Sequence, residues 1–146
     1  RLVYTLTEAA DELFPQSYGK LALHLVSEVK ESMGQDQAEA ILRRVADRVA
    51  REGPPPVEGQ SFEQRLDQVI DFLQDHGFIS HWEEAGDGYV LTNVNCPYRH
   101  VSQEHNEVCI MDTEILTKLL GVVPERLSSM SAGDPACRFL LVPEEA

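Results

Sequence analysis

Cys96, Cys109 and Cys137 are the chain's only cysteines, spaced thirteen and then twenty-eight residues apart. The first two bracket the stretch NCPYRHVSQEHNEVC, which also carries His100, Glu104, His105 and Glu107. Thiolate is a soft ligand, so three of them favour zinc, Cu(I) or an iron–sulfur cluster over magnesium or calcium. A closed zinc site takes four protein ligands, and a cubane cluster needs a fourth ligand on its remaining iron. No fourth cysteine and no Cys-x-x-Cys pair is present, so that donor must come from the His and Glu residues of the stretch. His105 is the first choice, because it lies one helical turn before Cys109; His100 and Glu104 would share a face in the same way. The competing reading is three inert thiols, since free cysteine behaves as a small buried hydrophobe. An odd number excludes a complete set of intrachain disulfides.

The elements that must position these residues are legible from periodicity. Arg1 to Leu6 alternates like the end of a strand, and Thr5-x-x-Glu8 spells a capping box that predicts a short helix ending at Pro15. From Gln16 a second helix is expected, with Leu21, Leu25, Val29 and Met33 on one face and Gly34 as its stop. A third follows, with Ile41, Leu42, Val45 and Val49 inward. Its Arg43, Arg44, Arg48 and Arg51 read as a solvated face, with Glu39 placed to pair with Arg43. The run GPPPVEGQ is a loop. Ser61 and Gln64 then form a second capping box, opening a helix that ends at Gly77.

Beyond Gly77 the pattern changes. FISHWEEAGDGYVLTNVNC reads as a β-hairpin, MDTEILTKLLG as a helix and ERLSSMSAGDPACRFLLV as a second hairpin. Cys96 therefore falls where a strand runs out, Cys109 where a helix begins and Cys137 where the last strand opens. The fold class is α+β, with about four N-terminal helices followed by a small antiparallel β-β-α-β-β block. Residues 7–52 form the helical and expected dimerisation region, 53–60 the Pro/Gly loop, and 61–146 a helix plus the cysteine-containing block.

The formal charge of −13 and pI near 4.6 make this chain by itself a poor ligand for nucleic acid, whose affinity comes from Lys and Arg on phosphates. No apolar run reaches the ~18–20 residues of a membrane span and no secretory pattern opens the chain, so a cytoplasmic protein without membrane association is expected. Ser-x-x-Lys, Gly-x-Ser-x-Gly and His-Glu-x-x-His are absent, and the glycines sit in turns rather than in a phosphate cradle. Cys96 and His100 flank Pro97 with no third group to orient them as a nucleophile pair. The expectation is a protein that is not an enzyme.

Five pieces in order along nearly the whole chain, YTLTEAADELFPQSYGKLA, GDGYVLTNVNCP, EVC, LLG and GDPACRF, together with the cysteine spacing, carry a resemblance. The chain resembles the C-terminal regulatory half of SufR-like bacterial transcriptional repressors, within the ArsR/DeoR-type winged-helix grouping. The resemblance implies that residues 1–6 are the end of the last wing strand of an N-terminal DNA-binding domain, and that DNA is met only through that domain. It implies a homodimeric repressor that senses iron–sulfur or redox status, with Cys96, Cys109 and Cys137 as ligands of an iron–sulfur cluster. Zinc at the same cysteines, a small-molecule-binding module, and a dimerisation module with inert cysteines are the alternatives.

Overall fold

The structure, a computed structural model, describes residues 1–144. Residues 1–7 form no regular element and are exposed, so the expected strand at Arg1 to Leu6 is not formed. A strand needs a neighbour to satisfy its backbone groups, and none lies alongside among the described residues. The capping box at Thr5 is not formed either. A 3-10 turn spans Glu8–Leu13, with Thr7 at its N-cap and no side-chain cap bond.

Three helices follow: α1 (Tyr18–Met33), α2 (Gln35–Arg51) and α3 (Phe62–Asp75). Gly34 separates the first two at φ 85°, a left-handed conformation that lets the chain reverse within one residue. α2 buries Ala38, Leu42, Ala46 and Ala50, four residues apart each time. The inward stripe is thus smaller than the sequence pattern suggested, with only Leu42 of the expected set fully buried. Three alanines let α2 approach α5 closely, and this is the most extensive contact between helices. α1 has no fully buried residue. It packs through Ala22, Leu23 and Val26, while Leu21 and Leu25 are each 57% exposed. The Ser61 capping box forms as expected, with Gln64 N–H donating to Ser61 Oγ at 3.2 Å and Ser61 N–H to Gln64 Oε1 at 2.9 Å.

The second half is β1 (Ser80–Ala85), β2 (Gly88–Asn93), α4 (Arg99–Ser102), α5 (Ile110–Leu120), β3 (Glu125–Ser128) and β4 (Cys137–Leu141). The four strands form one antiparallel sheet in the order β1-β2-β4-β3. The class is α+β, helices first and sheet after. Register places Trp82 beside Leu91, Leu91 beside Phe139 and Phe139 beside Arg126 in one row across the sheet. The next row holds Ser80, Asn93 and Cys137. Leu91, Phe139 and Leu141 are fully buried on this face together with Leu66, Val69, Ile115 and Leu116. Arg65 crosses from α3 to donate from Nε to the Leu119 carbonyl at 2.8 Å, satisfying an orphan acceptor in the last turn of α5. No helix of the described residues is long and apolar enough to cross a membrane.

Candidate functional site

The fold brings the three cysteines to one place. Cys96, Cys109 and Cys137 line a single cleft of about 130 Å³ together with Asp112, Met130 and Ser102. Each arrives from a different element and each is fixed by local bonds. After β2 the chain bends, and Asn95 clamps that bend to the residues before β1: its Oδ1 accepts from Ile79 N–H at 2.5 Å and its Nδ2 donates to Gly77 O at 2.8 Å. This sets where Cys96 stands. Cys109 closes a 3-10 turn (Asn106–Cys109) and is the N-cap residue of α5. Its carbonyl accepts from Arg126 Nη2 at 2.7 Å, which ties the start of α5 to β3. Cys137 opens β4 opposite Asn93, and its Sγ accepts from the Met130 backbone N–H at 3.3 Å. Ser128 Oγ donates to Ala136 O at 2.8 Å and Asp134 Oδ2 accepts from Ser129 N–H at 2.8 Å, so the loop leading to Cys137 is held at both ends.

All three cysteines are free; Cys137 is buried and the other two half-buried. Among the described residues no group of three or more His, Cys, Asp or Glu side chains is arranged to hold a metal ion. The thiols share the cleft without closing on one point. A single zinc with Zn–S bonds of about 2.3 Å would need a tighter set than this. The electrostatics oppose negative charge. Burial pushes the Cys96 thiol up to about 11, helped by Asp112 and then by Cys109 and Cys137. Burial raises the Asp112 carboxyl to about 6 against the pull of Arg126. Tyr98, next to Cys96, is pushed up to about 12 by burial, then by Asp112 and Cys96. Acidic groups crowded in a low-dielectric cleft disfavour one another's ionised forms, whereas a bound cationic centre inverts that balance and deprotonates thiols outright.

The sequence-selected fourth donors lie elsewhere. His105 does not line the cleft. Its backbone is extended, with φ −129° and ψ 86°, so the segment between Cys96 and Cys109 is two short turns and not one helix. The helical phase that would have aligned His105 with Cys109 is broken there. His105 turns instead to α1, where its Nε2 lies 2.7 Å from Ser27 Oγ. Glu107 pairs with Lys30 of α1. His100 packs over Gly19, and Glu104 is exposed. The carboxylate that does reach the cysteines is Asp112, in the first turn of the helix MDTEILTKLLG. Its only signal was its position three residues after Cys109, on the same face of α5.

Ser27, His105 and Glu107 together have the composition of a hydrolase triad, but no hydrogen bond joins His105 to Glu107 among the described residues, and Glu107 pairs with Lys30 instead. Ser27 Oγ gives its single proton to the Leu23 carbonyl at 2.9 Å. Among the described residues the His105 Nδ1 has no hydrogen-bond partner.

Compared with family models the chain gives no match, and compared with curated proteins it gives none either.

Proposed function

We propose that this chain is the regulatory and dimerisation domain of a SufR-like bacterial transcriptional repressor, and that Cys96, Cys109 and Cys137 hold an iron–sulfur cluster. The observation that carries the reading is the shared cleft: three cysteines far apart in sequence, each at the end of a different element, line one cavity. A volume of about 130 Å³ is roomy for one bare ion, since a cavity of only ~10–15 Å³ by this measure already takes a water. The donors fit a polynuclear centre better than a single zinc. When bound, an iron–sulfur cluster supplies an oxidant-sensitive cross-link among the three element ends.

The chain's own residues then offer a route from the cleft to the helices. The segment from Cys96 to Met111 has two faces. Cys96 and Cys109 look into the cleft, while Tyr98, Val101, Val108 and Met111 form the floor of an apolar groove of about 490 Å³ between α1 and α2. Leu25 and Val45 stand on the walls of that groove and are partly exposed. We assign this surface to a second copy of the chain, because the exposed row Leu21, Leu25 and Met33 continues the groove along α1. A repressor dimer sets the spacing of its two DNA half-sites, so a shift of α1 reaches the DNA-reading domains.

The test is anaerobic purification followed by iron, sulfide and zinc analysis and a visible spectrum, with Cys96→Ser in parallel. Matched iron and sulfide with visible absorption, lost in the variant, is the expected result. Zinc alone would replace the cluster with a structural metal. Neither metal would leave the dimerisation module with inert thiols.

A further inference from the structure

Asp112 lies in the first turn of α5, is only 5% exposed, and lines the cleft of the three cysteines. Its Oδ1 is buried without a hydrogen-bond partner among the described residues. A buried carboxylate oxygen in this condition carries its full desolvation cost, and such groups in native folds are paired or bound to a cation. Arg126 favours the Asp112 charge but makes no hydrogen bond to it. Arg126 gives its Nη2 hydrogens to the Cys109 carbonyl at 2.7 Å and to Thr113 Oγ1 at 3.3 Å, and its Nη1 is likewise buried and unpartnered. Among the described residues no other carboxylate and no imidazole lines the cleft. Its remaining polar side chains are Arg99, Ser102, Gln103 and Ser131. Arginine is always a donor and never a ligand, and a neutral hydroxyl or amide is a weaker oxygen ligand than a carboxylate.

We propose that the Asp112 carboxylate is the fourth protein ligand of the iron–sulfur centre held by Cys96, Cys109 and Cys137. The inference rests on the cluster reading above and deepens it. Three positions of the centre are then held by soft thiolate and one by hard carboxylate. The iron at the carboxylate is the least tightly held, because oxygen ligands suit the softer iron–sulfur core less well than thiolate does. Asp112 would thereby be the residue that sets how readily a bound centre loses iron.

The experiment compares the anaerobically purified chain with Asp112→Asn, Asp112→Cys and Cys96→Ser. It reads iron and acid-labile sulfide per chain, the rate of iron loss to a chelator, and the melting temperature of each metal-free form. The wild-type chain is expected to carry the cluster and Cys96→Ser to lose both iron and sulfide. Asp112→Asn is expected to keep sulfide while losing iron at least tenfold faster, and Asp112→Cys to restore or slow that loss. The metal-free Asp112→Asn form should melt no lower than wild type, since it removes an unpaired buried carboxylate. Equal iron loss in wild type and Asp112→Asn overturns the assignment while leaving the three-cysteine cluster standing. A lower metal-free melting temperature with unchanged iron loss also overturns it, by making Asp112 a support of the fold. Absence of iron and sulfide from wild type overturns the cluster reading itself, and the fourth ligand with it.

Discussion

At the scale of single residues, the polar contacts between α1 and the turn before α5 decide how firmly the cysteine segment is seated. Glu107 is nearly buried, and Lys30 is its ion-pair partner, with the Lys30 side chain 34% exposed and that of Glu107 7%. Among the described residues Glu107 Oε2 and His105 Nδ1 have no hydrogen-bond partner, so this small polar island depends on two contacts with α1, Lys30 with Glu107 and Ser27 with His105. Removing one member of such a pair leaves a desolvated charge behind, which costs more than the pair itself contributes. Lys30→Met is expected to destabilise the chain by about 2 kcal/mol in urea unfolding. Adding Glu107→Leu to Lys30→Met should recover most of that loss. If the single and double variants unfolded at the same urea concentration, Glu107 would not be acting as an isolated buried charge. This island was not visible in the sequence, where His105 and Glu107 were noticed for the wrong neighbour. Their distance to Cys109 along the chain is short, but their contacts are with residues 77 and 78 positions away.

At the scale of elements, local chemistry and tertiary packing can be separated. Ser61 and Gln64 satisfy each other's backbone groups within four residues, so the start of α3 was readable without any knowledge of the fold. Ser61→Ala should cost about 1 kcal/mol of unfolding free energy, measured by thermal or urea denaturation. The same spelling at Thr5 gave no cap, because a box stabilises a helix that packing already favours and residues 8–13 bury nothing. Gly88 shows the opposite limit. Its turn role in Gly-Asp-Gly is a local signal, yet its stronger constraint is across the sheet. A Cβ there would stand 2.4 Å from the Leu141 carbonyl oxygen, a backbone atom that cannot step aside. Gly88→Ala is therefore expected to shift β2 against β4 and cost about 2 kcal/mol or more, with loss of near-ultraviolet dichroism from Trp82 and Tyr89. The helices, both hairpins and the three element ends carrying cysteine were legible because periodicity and turn residues are local signals. Asp112 was not, since only tertiary contact reveals which face of α5 meets the cysteines.

For the molecule as a whole, the expected dimer is tested on α1. Leu21 and Leu25 are more than half exposed and make little contact with the chain's own core. The double variant Leu21→Glu/Leu25→Glu should retain the helical circular dichroism of the parent and sediment as a monomer where the parent sediments as a dimer. A monomeric parent under the same conditions would remove α1 from the interface. The acidic charge of −13 predicts that any such association strengthens with salt, as self-repulsion is screened. The segment from Cys96 to Met111 gives this a thermodynamic meaning. One short stretch is at once a wall of the cleft and the floor of the groove, so with the proposed cluster and dimer its position is a variable that two binding events share. Linkage is reciprocal: whatever factor cluster binding contributes to self-association, self-association returns to cluster affinity. Under that proposal the cluster affinity would be a function of the chain's own concentration, and a dilute protein would release iron that the same protein, more abundant, would keep.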